Sequence, residues 1–331
     1  MELLSEGQGI LPSTERETLS QLGGDAYSNL DWTRRGQMSD MHFSIERQYL
    51  GQVPPPDTVN GILYQAAFCN SSGSPEADWN IEVHHRVLES ALRPLNGPSV
   101  DQLINFRSST TASIIPEYHM TTVPPKKVDF CMYVEPDCDK DVPRASQTIA
   151  SLQDALPCGM FNHASLDTLR DRAIALSIET TRTGEGWDNA SLQMGIWSAA
   201  HWAFLDLLLR MRQEAAEELS TREGPNPDNA TEAGRMECPD TSSAQSSQLP
   251  EYLPGIIIQG HDWHLVITTR RGDKTIFWQK MTFGTTSSSK GIYQIICALQ
   301  LLQHWAREEY WAWLRAVLSD WPRLHGQRVI R

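Results

Sequence analysis

The chain has 331 residues, of which 40% are hydrophobic and 11 are tryptophan, so it can bury a substantial core and is not a disordered protein. Its 28 basic and 41 acidic residues give a net charge of −13, which opposes binding to a polyanion. No apolar run reaches the roughly 18 residues that cross a bilayer, and the first residues do not resemble a signal peptide. We therefore expect an intracellular protein, cytoplasmic or nuclear, with no membrane partner.

Weakly patterned sequence opens the chain. Residues 1–56 are polar and rich in glycine and serine, which predicts a loosely ordered N-terminal arm. Apolar residues then recur at helical spacing in two segments, 57–68 and 76–92, and these predict a pair of helices. Ile114 and Ile115 stand before a proline, and we expect them to form a short strand that leads into a hairpin with the next predicted strand.

Two predicted strands carry an acidic residue near one end. Residues 126–134 indicate a strand that begins close to Asp129 and stops at a Glu-Pro-Asp turn. The apolar run 173–178 is typical of a buried strand, and Glu179 follows it directly. We expect the two carboxylates to meet on neighbouring strands.

The second half of the chain predicts the remainder of the same domain. Asp188 is expected to cap a long helix over 190–219, and a segment rich in proline, asparagine and serine then predicts a flexible insertion. Three strands and a closing helix are expected after it, at 253–260, 263–269, 275–283 and 287–318. The closing helix carries Trp305, Trp311 and Trp313, whose helical spacing favours a place in the core over a partner surface. The sequence thus predicts an N-terminal arm (1–56), one domain in two pieces (57–220 and 249–320), a flexible insertion (221–248) and a basic tail (321–331).

An acid pair on adjacent strands suits a hard divalent cation. Mg²⁺ or Mn²⁺ takes oxygen ligands, so two carboxylates and a backbone carbonyl are enough to hold one. The ion polarises a phosphate and lowers the pKa of a bound water. A lysine two residues after the second acid usually positions that water and offsets developing charge. Here that position is Thr181, which carries a hydroxyl and no charge.

The ordered motifs resemble those of the PD-(D/E)XK nuclease-like proteins found widely in filamentous fungi. They span residues 59–314 and comprise WNIEVH from Trp79, IIPEY from Ile114, VDF from Val128, LSIETT from Leu176, SLQMGIW from Ser191, LP from Leu253 with GHDW from Gly260, and GIYQI from Gly291. The resemblance implies an α/β fold, a PD-(D/E)XK nuclease-like core in which helices flank a central mixed β-sheet. It also implies a metal-dependent hydrolase that uses Mg²⁺ or Mn²⁺.

The same resemblance implies roles for individual residues. Asp129 and Glu179 would be the two acids, and the lysine that follows them has been lost. Gln193 falls where related nucleases often carry a glutamine on the next helix. Glu82 or Glu76 falls on the preceding helix, where a further acid can assist at the metal.

Three hypotheses for the function remain open. The chain is a metal-dependent phosphodiesterase, or it keeps the nuclease scaffold as a protein-binding or regulatory module, or its pocket serves small-molecule chemistry such as fungal secondary metabolism. The net charge and the missing lysine favour the last two, whereas the retained acids favour the first. A simpler interpretation is that Asp129 and Glu179 are ordinary strand-end acids paired with Lys126, Lys127 or Arg182. Nucleic-acid binding would need a basic face, for which the candidates are Lys126, Lys127, Arg170, Arg172, Arg182, Arg270, Arg271 and Lys290.

Overall fold

The computed structural model describes residues 1–34, 39–95, 98, 101–119, 124, 127–142, 144–182, 184, 186–223, 248–319 and 321. Numbered along the chain, the strands of this described part are β1 (Leu11–Pro12), β2 (Phe43–Ser44), β3 (Ile104–Ser108), β4 (Ser113–Ile114), β5 (Phe130–Val134), β6 (Ala164–Ser165), β7 (Ala173–Thr181), β8 (Leu253–Gln259), β9 (Asp262–Arg271) and β10 (Lys274–Thr285).

The helices follow the apolar periodicity of the sequence. The α-helices of the described residues are α1 (Glu2–Ser5), α2 (Arg16–Gln21), α3 (Pro56–Ser72), α4 (Glu76–Trp79), α5 (His85–Leu92), α6 (Arg144–Leu152), α7 (Trp187–Glu223), α8 (Ser289–Trp305) and α9 (Ala312–Ser319). A π-helical segment, Asn80–His84, joins α4 to α5, and a second one, Ala306–Trp311, joins α8 to α9. Short 3₁₀ turns occupy Ser13–Glu15, Asp25–Thr33, Ser39–His42, Glu46–Tyr49, Pro116–Tyr118, Pro136–Cys138, Gln153–Ala155, Pro157–Gly159 and Asp167–Leu169.

Within the described residues the central sheet is mixed and has six strands, in the order β10-β9-β8-β7-β5-β3. All neighbours are antiparallel except β7 and β8, which run parallel. A parallel pair needs a long crossover, and α7 lies in the connection between these two strands. The buried, apolar sequence of β7 suits its central place, since helices cover both of its faces.

Helices cover the sheet on both sides. On one face α7 packs closely: a Cβ added at Gly255 would lie 3.0 Å from the sulfur of Met194, so any larger residue there would make this side chain shift. On the other face the helical segment 76–92 contacts α8, and the His84 ring meets the Trp263 ring edge-on at 5.8 Å. The predicted α/β fold with a mixed sheet flanked by helices is confirmed.

Several elements differ in detail from their predictions. Asp188 lies inside the first turn of α7, which begins one residue earlier at Trp187, so it is not the residue before the helix. Ile114 belongs to β4, which pairs with β6 and not with the strand beside Asp129. The antiparallel neighbour of β5 is β3, whose five residues include two exposed ones and gave no clear strand pattern.

The N-terminal segment also differs from the loose arm that the sequence predicted. Ile10 and Leu11 are fully buried in the core. The guanidinium of Arg47 is buried as well, and it donates to the Ile10 carbonyl and, over 2.6 Å, to Oε1 of Gln300 in α8. The segment is therefore part of the domain where the structure describes it. Most of the predicted insertion and of the basic tail lies outside the described residues.

Candidate functional site

The two predicted acids lie on neighbouring strands. β5 and β7 pair in the register Phe130↔Ile178, and the backbone N–H of Asp129, one residue before β5, donates to the Ile178 carbonyl over 3.0 Å. The backbone N–H of Thr180 in turn donates to Oδ2 of Asp129, so Asp129 lies beside the β7 backbone on either side of Glu179. Both are buried, with 9% of Asp129 and 4% of Glu179 exposed.

Asp129 is held by hydrogen bonds from uncharged donors. Its Oδ2 accepts from the backbone N–H and from the hydroxyl of Thr180, each over 2.9 Å, and its Oδ1 accepts from Asn80 Nδ2 over 3.2 Å. Burial raises the pKa of Asp129, and the hydrogen bonds oppose that rise without cancelling it. Dipoles alone fix this carboxylate, because no lysine or arginine pairs with it in the part of the chain that the structure describes.

Asn80 continues into a buried polar chain. Its Oδ1 lies 2.9 Å from Nδ1 of His84, and Nε2 of His84 lies 3.2 Å from the Gly260 carbonyl oxygen. Burial lowers the pKa of His84 to about 4, so its ring is neutral near pH 7. A neutral imidazole donates from one nitrogen only, so with Asn80 in this orientation one of the two contacts is not a hydrogen bond.

Glu179 points towards α7, on the side of the sheet that this helix covers. Gln193 Nε2 donates to Oε1 of Glu179. One turn later in α7, the indole N–H of Trp197 donates to the Ser177 hydroxyl over 2.8 Å. Because alternate residues of a strand share a face, these two bonds attach α7 to one face of β7. The structure thus brings Gln193 and Glu179 together.

Thr181 is the residue that the sequence predicted in place of the motif lysine. It is partly buried at the end of β7, and its backbone carbonyl accepts from the Gly260 N–H over 2.9 Å. The strand period places its side chain on the same face as Glu179. The adjacent Arg182 is exposed. This position therefore supplies a hydroxyl to the site and no positive charge.

The structure does not bring Glu82 to the acid pair. Its side chain is 41% exposed and forms an ion pair with Arg86, one helical turn away, over 3.0 Å. Asn80 is the residue of this helical layer that contacts Asp129, and Glu76 lies one turn before it. No cluster of three or more His, Cys, Asp or Glu side chains within the described ranges is placed to hold a metal ion. The ion pair with Arg86 thus holds Glu82 on the exposed side of its own helical segment.

Three of the five arginines expected to form a basic face are held in ion pairs. The ion pairs are Arg170 with Asp167, Arg172 with Glu135 and Asp171, and Arg270 with Asp206. Lys126 lies outside the described residues. The charge of each arginine in these pairs is already balanced by a carboxylate, so it attracts a polyanion less strongly.

Sequence reasoning missed Asn80 and Thr180 as partners of Asp129. A signal was present for Asn80, because it and His84 are four residues apart in a helical segment whose buried stripe also carries Val83 and Val87. Polar side chains on such a stripe need hydrogen-bond partners. Thr180 gave no signal of its own, because the resemblance assigned roles to its neighbours Glu179 and Thr181 and none to Thr180.

The sequence of the chain matches a known protein superfamily. A sequence model of the PD-(D/E)XK nuclease superfamily matches residues 25–311, which is most of the chain. The chain belongs to this superfamily. No curated protein and no solved structure gives a significant match. The mixed sheet with its two acid-bearing strands is the arrangement expected of a PD-(D/E)XK nuclease-like protein.

None of the helices in the described residues has the length and apolar character needed to span a bilayer.

Proposed function

We propose that the chain is a metal-dependent phosphodiester hydrolase with a degenerate active site. The observation that supports this most directly is that Asp129, directly before β5, is hydrogen-bonded to the β7 backbone on either side of Glu179, and that both acids are buried. Buried carboxylates are rare unless they are paired, and Asp129 is held by neutral donors instead. A carboxyl group whose pKa is perturbed by burial at such a place is typical of functional sites.

The donor set fits a hard divalent cation. Two carboxylates on adjacent strands supply oxygen ligands of the kind that Mg²⁺ and Mn²⁺ prefer. When bound, such a cation would polarise a phosphate and lower the pKa of a water. Asp129 and Glu179 would hold it, while Asn80, Thr180 and Gln193 would orient the two carboxylates through the hydrogen bonds described above.

The replacement of lysine by Thr181 sets the expected rate. The chain can position a water with the threonine hydroxyl, but it offers no preorganised positive charge at this place. Loss of one such preorganised donor lowers turnover by about 10² to 10³. We therefore expect weak phosphodiesterase activity at most.

Metal binding is the first property to test. Calorimetric titration of Mg²⁺ and Mn²⁺ into the full chain should show saturable binding that is lost in Asp129→Asn and in Glu179→Gln. Glu82→Gln is the matched control, because Glu82 lies on the neighbouring helix without contacting Asp129, and it should bind as the wild type does. A wild-type chain that binds neither ion would remove the hydrolase proposal.

A gain of activity is the sharper test. Thr181→Lys restores the missing ammonium group on the Glu179 face of β7, and it should raise cleavage of single- and double-stranded DNA and RNA at least tenfold over the wild type. Thr181→Met, which has similar length and no charge, is the control and should give no increase. Equal rates for the two variants would mean that the charge is not the missing component.

The second candidate function is a repurposed fold that acts as a protein-binding module or in small-molecule chemistry, for example in secondary metabolism. The ion-paired arginines and the net charge of −13 favour it over nucleic-acid hydrolysis. A Thr181→Lys variant that binds metal, keeps the fold and still cleaves no nucleic acid would support this candidate.

A further inference from the structure

An aromatic groove lies at the end of β8 remote from the acid pair. It has a volume of about 480 Å³ and is formed between residues 248–252, directly before β8, and one face of the helical segment 305–316. We call it the aromatic groove and define it by Leu249, Tyr252, Trp305, Tyr310, Trp313 and Ala316. Tyr252 stacks on Trp305 with ring centroids 5.8 Å apart, and this stack forms part of its wall. Glu179 pairs with Ile257 of β8, five residues after Tyr252, so the groove and the acid pair are separated by about 17 Å of strand.

Three carboxylates line the groove, and no described cationic side chain pairs with them. Glu251, Glu308 and Glu309 line it and are exposed, and none of them forms an ion pair with any described residue. Among the described residues, no lysine or arginine lines the groove. Glu309 and Glu251 lie close enough to Tyr252 to raise the pKa of its hydroxyl, in addition to the larger effect of burial. The groove therefore combines an apolar, aromatic wall with a concentrated negative charge.

The shape of the groove suits an extended peptide. Its helical side consists of residues 305, 308, 309, 310, 312, 313 and 316, and all of these except 310 follow the spacing of one helix face. Eleven helical steps span about 16 Å, the length of about five residues of extended chain. Ala312 and Ala316 are small, so they leave room for a large side chain of a partner. The π-helical segment Ala306–Trp311 lies in this wall, and such segments are frequent at functional sites.

We propose that the aromatic groove binds a positively charged, extended segment of a partner protein. Lysine or arginine side chains of the partner would pair with Glu251, Glu308 and Glu309, and an apolar side chain would lie over the two alanines. Cations are also attracted to the faces of tyrosine and tryptophan, and Tyr252 and Trp313 are the partly exposed rings of the wall. The chain's own residues 224–247 contain four acidic residues and one arginine, so their charge does not match the groove.

Selection from a random peptide library tests the chemistry of the ligand. Phage-displayed dodecapeptides are selected on the full chain and counter-selected on the double variant Glu308→Lys/Glu309→Lys. We expect the enriched peptides to carry two or more lysine or arginine residues around a leucine, phenylalanine or tryptophan. Enrichment of neutral or acidic peptides, or of none, contradicts the proposal.

The affinity of an enriched peptide then tests the location. By fluorescence anisotropy, Kd should rise at least tenfold in Glu308→Lys/Glu309→Lys and in Ala316→Arg, which places both bulk and positive charge in the groove. Glu17→Lys changes the charge of an exposed helix elsewhere and should leave Kd within twofold of the wild type. Equal affinity for all variants would mean that the peptide binds at another surface.

Two further measurements separate this proposal from its alternatives. A synthetic peptide with the sequence of residues 322–331, which contains three arginines, is used as a competitor. If it displaces the selected peptide with an equal or lower Kd, the ligand is the chain's own C-terminal segment and the partner proposal fails. Peptide binding should also persist in Asp129→Asn, so the groove proposal and the hydrolase proposal succeed or fail independently.

Discussion

The acid pair and the aromatic groove both contain acidic side chains, but the two regions treat them in opposite ways. Asp129 is buried and receives three hydrogen bonds from the protein. Glu308 and Glu309 are exposed and have no cationic partner among the described residues. Polar groups in a low-dielectric interior are held firmly when satisfied and are costly when they are not. Changes at the buried pair should therefore alter stability, whereas changes at the groove should alter binding alone.

The largest expected effect concerns the pH dependence that His84 contributes. Its folded-state pKa of about 4 lies below the ordinary value of 6.5, so folding favours the neutral ring. The stability contributed in this way is fully present above pH 6.5 and is lost as the pH falls towards 4. The shift corresponds to about 3 kcal/mol across that window.

Urea unfolding of the wild type and of His84→Gln at several pH values measures this contribution. The variant should lose about 3 kcal/mol less than the wild type between pH 6.5 and 4. The comparison uses the change of each protein's free energy of unfolding with pH. A constant loss of stability caused by repacking around residue 84 therefore cancels. Parallel curves would show that His84 is charged in the folded protein, with both ring nitrogens donating to Asn80 and Gly260.

The next effect in size concerns the donor that Asn80 gives to Asp129. Asn80→Leu removes one hydrogen bond from a buried carboxylate and should reduce the free energy of unfolding by about 2 kcal/mol. The same change should raise the pKa of Asp129 further, because one bond that lowers it is lost. Asn70→Leu, at an exposed position of α3, is the matched control and should stay within about 0.5 kcal/mol of the wild type. A similar loss in both variants would mean that Asn80 has no special role.

The sequence predicted the central part of the fold because its patterns are long. The apolar run of β7, the periodic helix α7 and the three strands after it were all recognisable from their own residues. The strand β3 was not, because five residues with two exposed side chains carry little pattern. The N-terminal segment was misjudged for a different reason. Its polar composition hides the buried Arg47, one of whose partners, Gln300, lies on α8 more than 250 residues away.

The candidate site was predictable only in part. Asp129 stands directly before β5 and Glu179 lies near the end of β7, and the patterns of both strands could be read locally, while the resemblance supplied Gln193. The role of Asn80 depends on a contact across 49 residues, which no local pattern encodes. Glu82, on the same helical segment, pairs with Arg86 away from Asp129, because the segment's rotation about its axis decides which residue faces the strands. The tryptophans of the closing helix were predicted to be core residues. Trp311 is fully buried, whereas the half-buried Trp313 lines the aromatic groove.

The smallest expected effect on stability is at the groove. Glu308→Gln/Glu309→Gln removes two exposed charges that have no cationic partner among the described residues, so the free energy of unfolding should stay within about 0.5 kcal/mol of the wild type. The same double variant should nevertheless weaken the selected peptide at least tenfold, because the partner's cations lose their counter-charges. Stability from urea unfolding and Kd from anisotropy are measured on one preparation. A stability loss as large as that of Asn80→Leu would show that the groove carboxylates support the fold, and the contrast between the two regions would then be wrong.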